Sequence, residues 1–142
     1  MVAVDQSVRA AADASRALID YDAFIERWDE VRQAPGWSGE PVWTHRDLLS
    51  SNILTMDGRL SAVIDWAGAS VGDPAVDLKA AWMLFDHRGR DVFRGALPFD
   101  DATWMRARAW ALVGIHGVAY YAETNPLFSA AAIRTIERVL AD

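Results

Sequence analysis

The sequence contains no cysteine in its 142 residues. That absence excludes a disulfide framework and any thiolate metal site, and it is compatible with a reducing compartment. Long apolar runs are missing too: the longest uncharged stretch, residues 109–122, is too short to span a bilayer and contains His116. The amino-terminal residues include Asp5 and Arg9 and no apolar segment of signal-peptide length. The expectation is a soluble, cytoplasmic protein with no membrane partner. Basic clusters are equally scarce. The formal net charge is -6 and Lys79 is the single lysine, which argues against a nucleic-acid partner. The acidity would suit a cationic small compound, although a negative surface that simply keeps the domain soluble is the plainer reading. Neither G-x-G-x-x-G nor G-x-x-x-x-G-K-[ST] occurs, so the chain shows no glycine-rich phosphate loop.

What is present is apolar material. Hydrophobic residues make up 52% of the chain and seven are Trp, which suits one packed domain over residues 1–142 and excludes disorder. Helical spacing predicts two helices between Asp5 and Gln33, broken near Asp20-Tyr21-Asp22, with Asp22 capping the second. After a loop of helix breakers, Val42-Trp43-Thr44 reads as a short strand. Asn52 to Met56 and Arg59 to Asp65 read as a hairpin around Asp57-Gly58, a pair suited to a two-residue type I′ turn. Asp73-Pro74 starts a helix to about Phe85, and a short helix covers Asp91 to Ala96. A long helix runs from Asp100 or Asp101 to about Glu123, and Asn125-Pro126 starts the last, to about Leu140. Trp43, Trp82, Trp104 and Trp110 are expected in the core. The architecture is therefore mainly α (α+β), a helical bundle with one small β-hairpin.

The chemistry concentrates in one run. His45-Arg46-Asp47-Leu48-Leu49-Ser50-Ser51-Asn52 satisfies the pattern H-R-D-L-x-x-x-N at every specified position. Phosphoryl transfer needs a carboxylate that orients the attacking hydroxyl and accepts its proton, and separate oxygen ligands for Mg²⁺ on the phosphates. Asp47 can act as that carboxylate from a loop, while Asn52 can reach a metal from the side. Asp65 adds a charged oxygen, the hard donor that Mg²⁺ prefers. With a two-residue turn at Asp57-Gly58, Met56 faces Arg59, Leu54 faces Ser61 and Asn52 faces Val63. Asn52 and Asp65 are then diagonal neighbours on one face. His87 and His116 stand alone and are not expected to bind metal.

The stretch from Val42 to Leu78, with its H-x-D-x-x-x-x-N, I-D-W and G-D-P-x-x-D-L segments, resembles the C-terminal lobe of the aminoglycoside phosphotransferase family of small-molecule kinases. The resemblance implies a kinase-like C-terminal lobe, with Asp47 as catalytic carboxylate and Asn52 and Asp65 as Mg²⁺ ligands. It implies ATP or GTP as phosphoryl donor and transfer of the γ-phosphate to a hydroxyl of a small molecule, such as an aminoglycoside or other antibiotic. It further implies that His45 packs under the loop and that Asp77 braces it from the following helix. Seven residues separate Asp65 from Asp73 and no Ala-Pro-Glu follows, which leaves no room for a protein-kinase activation segment and favours a small-molecule acceptor.

The chain departs from the family pattern at Arg46, where Gly is usual, at Ser50-Ser51, where Pro-Gly is frequent, and at Asp65-Trp66-Ala67, which replaces D-F-G. Lys79 lies beyond the metal-binding segment, within a predicted helix, where a strand-borne phosphate lysine could not be. The N-terminal nucleotide lobe is therefore expected to be absent, and a separate N-terminal lobe becomes an expected partner. The competing reading is a noncatalytic fragment or small-molecule binding module derived from such a kinase.

Overall fold

A computed structural model describes residues 4–142 and is mainly helical, with two small antiparallel sheets. Helix α1 (Asp5–Ala14) and helix α2 (Tyr21–Val31) form the first pair. Their contact rests on Val8, Ala12, Phe24, Trp28 and Val31, all buried. The Trp28 indole N–H donates to Asp5 Oδ1 at 2.7 Å, joining the start of α1 to α2. That bond holds the Asp5 carboxyl below its ordinary pKa. The α2 cap differs from expectation: Asp20 accepts from Ala23 N at 3.1 Å, and Asp22 lies inside the first turn. Two acidic residues both suit a helix start, and the one with extended backbone takes the cap.

Strand β1 (Val42–Thr44) pairs antiparallel with β4 (Ser70–Gly72), and β2 (Ile53–Met56) pairs with β3 (Arg59–Val63). The single hairpin expected from the sequence is thus corrected to two two-stranded sheets. Trp43 is corrected as well, being 76% exposed opposite Val71. A two-stranded ribbon covers little of its own apolar surface.

The remaining helices are α3 (Ala75–Leu78), α4 (Ala80–Leu84), α5 (His87–Gly95), α6 (Asp101–Leu112), α7 (His116–Tyr120) and α8 (Pro126–Leu140). The helix expected from Pro74 to Phe85 is pinched at Lys79, whose carbonyl accepts from both Trp82 N and Met83 N. The helix at α5 starts earlier than expected because Asp86 caps it through Gly89 N at 2.8 Å. The long helix expected to reach Glu123 is divided at a tight turn over Val113–Ile115. Beyond that turn Gly117 admits the Phe128 ring of α8, since a Cβ there would stand 2.8 Å from Phe128 Cε1.

Asn125 and Pro126 start α8 as the sequence indicates, with the Asn125 side chain accepting from Phe128 N. In the centre Trp104 makes edge contacts with Trp82 and Phe93 at ring distances of 6.3 and 6.0 Å. Arg106, buried on α6, donates to Asp73 and to the Pro35 carbonyl, tying the loop before β1 to the start of α3. Asp73 also accepts from Ala75 N at 2.9 Å, so one carboxylate caps the helix and pairs the arginine.

Candidate functional site

The loop between β1 and β2 sits where the second sheet, the first sheet and α3 meet. His45 is buried, and its ring is held at both nitrogens: Asp47 N–H donates to Nδ1 at 3.3 Å, and Nε2 lies 2.8 Å from the Ile64 carbonyl. Because Nδ1 accepts, the proton resides on Nε2, which donates to Ile64. Trp66 closes over the same ring edge-on at 4.6 Å.

The next residue turns the chain. Arg46 has φ 72°, in the left-handed region that glycine occupies at no steric cost. The backbone conformation thus accounts for the glycine usual in the family at this point, and Arg46 adopts it despite its Cβ. Two bonds from Asp77 hold it there: His45 N–H donates to Oδ2 at 2.6 Å and Arg46 N–H to Oδ1 at 2.7 Å. Bonds to a charged acceptor are the stronger kind.

Asp47 and Asn52 are brought together. The Asn52 amide, buried, donates to the Asp47 carbonyl at 2.9 Å and to Asp47 Oδ2 at 3.1 Å. That fixes which end of the amide is nitrogen and leaves Asn52 Oδ1 as the acceptor, with Ser51 Oγ at 3.5 Å. It also occupies one oxygen of Asp47, whose Oδ1 has no hydrogen-bond partner among the described residues.

Asp65 is not joined to this pair by the expected route. The turn at Asp57-Gly58 has the anticipated positive φ values of 52° and 72°, and Met56 does face Arg59. A bulge then intervenes, because Thr55 pairs with Leu60 while Leu54 pairs with Ala62, leaving Ser61 as the extra residue. Ile53, not Asn52, faces Val63. Asn52 ends a 3-10 turn over Ser50–Asn52, and its carbonyl accepts from Ile64 N at 2.9 Å. The diagonal argument therefore fails: one inserted residue reverses the side-chain parity on which it stood. Asp65 lies past the end of β3, exposed, with left-handed φ 62° and ψ 63°.

Lys79 was not expected at this site, yet it belongs to it. Its Nζ donates to the Arg46 carbonyl at 2.7 Å. Burial pushes the ammonium down from its ordinary pKa, opposed by the carboxylates of Asp47 and Asp77. The signal available in the sequence was its position two residues after Asp77, but the contact depends on the left-handed turn at Arg46, which spacing does not reveal.

Arg46, Asp47 and Lys79 open on a cavity of about 550 Å³ between the loop and the helices α4, α6 and α8. Its far wall is formed by Met83, Trp110, Val113, Leu127, Phe128 and Ala131.

Among the described residues no group of three or more His, Cys, Asp or Glu side chains could hold a metal by itself. Asn52 Oδ1 and the exposed Asp65 carboxylate are oxygen donors, the type that Mg²⁺ shared with phosphates takes. None of the described helices is long and apolar enough to cross a membrane. The family model described as APH, phosphotransferase enzyme family, matches residues 3–110. No curated protein and no solved structure gives a significant match.

Proposed function

The chain belongs to the phosphotransferase enzyme family, and from that premise we propose that it forms the kinase-like C-terminal lobe of a small-molecule O-phosphotransferase. The observation that carries this reading is the state of Asp47: one carboxylate oxygen is tied to Asn52, while the residue itself lines a cavity of ligand size. A general base must be held in place and yet reach a substrate proton. Asp47 orients the acceptor hydroxyl and takes its proton as the oxygen attacks the γ-phosphate of ATP or GTP, the bond from Pγ to the β–γ bridging oxygen breaks, and ADP or GDP leaves.

Asn52 and Asp65 would hold Mg²⁺. The ion would neutralise charge on the transferring phosphate when bound. His45 and Asp77 act as supports, one filling the space under the loop and the other fixing its backbone. Aminoglycosides and other antibiotics are the acceptors that the family resemblance implies, and the cytoplasm, where nucleotide is available, is the place for the reaction.

The nucleotide-covering lobe is part of the proposal as a partner, because these 142 residues carry no glycine-rich phosphate loop. Such a lobe would cover the apolar side chains left open on the two sheets, Trp43, Val71, Leu54 and Leu60 among them. The absence of that loop also favours the second reading, a binding module without transfer activity. The test uses the chain joined to, or mixed with, a nucleotide lobe from a family member, with Mg²⁺ and labelled ATP. Asp47→Ala should lower transfer by about 10² to 10⁴ with the fold intact, and Asp65→Ala should raise the Mg²⁺ requirement. Near-normal turnover in Asp47→Ala would sink the assignment, and no transfer in any two-lobed form would favour the binding module.

A further inference from the structure

The cavity does not share the acidity of the chain. The whole sequence carries a formal net charge of -6, whereas the cavity wall holds Arg46 and Lys79 as cations and Asp47 as its acid. The rest of the wall is mainly apolar, Trp110, Phe128 and Leu127 included, and its further polar groups are neutral. The overall acidity therefore does not reach the place where an acceptor would sit. This removes the link, drawn from net charge, between acidity and a cationic compound.

A polyamine needs carboxylates or carbonyls for each ammonium it brings out of water, because an unpaired buried charge is costly. Asp47 alone cannot supply them, and as the base it has its own task. Lys79 lies close enough to Asp47 for their charges to interact, so an ammonium bound beside Asp47 would also meet a like charge. An apolar skeleton meets none of these costs and buries surface against Trp110 and Phe128.

Resting on the phosphotransferase reading, we infer that the acceptor is a mainly apolar alcohol, neutral or anionic and without amino groups. Its skeleton lies against the helical wall of the cavity and its hydroxyl points to Asp47. An anionic substituent, where present, faces Lys79.

The test is direct binding to the purified chain by titration calorimetry in about 0.15 M salt, a screening level at which surface attraction is weak. The probes are cholate, a hydroxylated steroid carboxylate kept below its micelle concentration, and neomycin, a polyamine sugar. Cholate should bind at least about tenfold more tightly, the least that an unpaired charged group is expected to cost. Ala131→Trp, at an exposed position on the cavity wall, should abolish cholate binding with an unchanged circular dichroism spectrum. Leu127→Asp, at a position 83% exposed, should shift the ratio towards neomycin and serves as the second variant if Ala131→Trp does not fold.

Equal or tighter binding of neomycin overturns the inference, as does cholate binding unaffected by both variants. The two readings fail separately. Phosphorylation of neomycin and not of cholate by a two-lobed form overturns the acceptor class and leaves the phosphotransferase standing. Cavity-dependent cholate binding without transfer in any two-lobed form supports the ligand class and removes the phosphotransferase.

Discussion

The helical body and the two small sheets treat apolar side chains in opposite ways. In the body Phe24, Trp28, Leu112, Ile115 and Val139 are fully buried, while on the sheets Trp43, Met56 and Leu60 are 76%, 68% and 64% exposed. Burial supplies the body with stability in proportion to the area removed from water. The sheets gain little of that and are positioned by polar bonds instead. Thr44 Oγ1 donates to the Ser70 carbonyl, His45 Nε2 donates to the Ile64 carbonyl, and Asp77 takes two loop amides. The contrast teaches that this molecule keeps its stability in one region and the geometry of its candidate site in another, joined at α3.

The largest effect should come from the body. Trp28→Ala removes a fully buried indole and its bond to Asp5, and should cost about 3–5 kcal/mol in urea unfolding. A loss well under 1 kcal/mol would break the comparison by showing the body is not where stability lies.

Next is the joint. Asp77→Ala leaves the His45 and Arg46 amides without their carboxylate, and should cost about 3 kcal/mol, visible as a lowered melting temperature. Asp77→Asn should recover part of it, because one amide oxygen still accepts. Equal losses in the two variants would mean that the hydrogen bonds are not the cause.

A smaller effect is tied to pH. The folded chain holds the Lys79 proton less tightly than the unfolded chain, whose lysine has the ordinary value of 10.5. Between the lowered folded pKa and 10.5 the unfolded state binds more protons, so this residue makes stability rise with pH. Below the folded pKa its burial cost is fully present. Lys79→Met should abolish that alkaline rise relative to the parent chain in melts at stepped pH, and parallel curves for the two proteins would refute it.

The smallest effect belongs to the sheets. Leu60→Ser, at an exposed β3 position, should change stability by no more than about 0.5 kcal/mol. A loss comparable with Trp28→Ala would show that the isolated chain already buries this surface.

Much of this organisation is written in local signals. Asn125-Pro126 marks the start of α8 because a cap and a fixed proline φ act within one turn, and Asp57-Gly58 marks its turn for a similar reason. That His45, Asp47 and Asn52 belong together was legible because they lie within eight residues and bond to one another locally. Pairings at a distance were not legible. β4 joins β1 across 26 residues at Thr44 and Ser70, and the turn signal that lies between them, Asp57-Gly58, belongs to the β2–β3 hairpin instead. The bulge at Ser61 reflects sheet geometry that alternation does not encode, and it overturned the register argument for bringing Asn52 and Asp65 together. Lys79 reaches the loop only because Arg46 is left-handed, a conformation its side chain does not advertise.

Residue 46 is held on both sides by a single helical turn, its amide by Asp77 and its carbonyl by Lys79. An exposed loop ordinarily exchanges its amide hydrogens with solvent quickly, since it opens without disturbing anything else. Here the Arg46 hydrogen is released only when the loop parts from α3. Deuterium uptake at this one exposed position would therefore run on the clock of the helix beneath it, and the loop's timescale is set by residues more than thirty positions away in sequence.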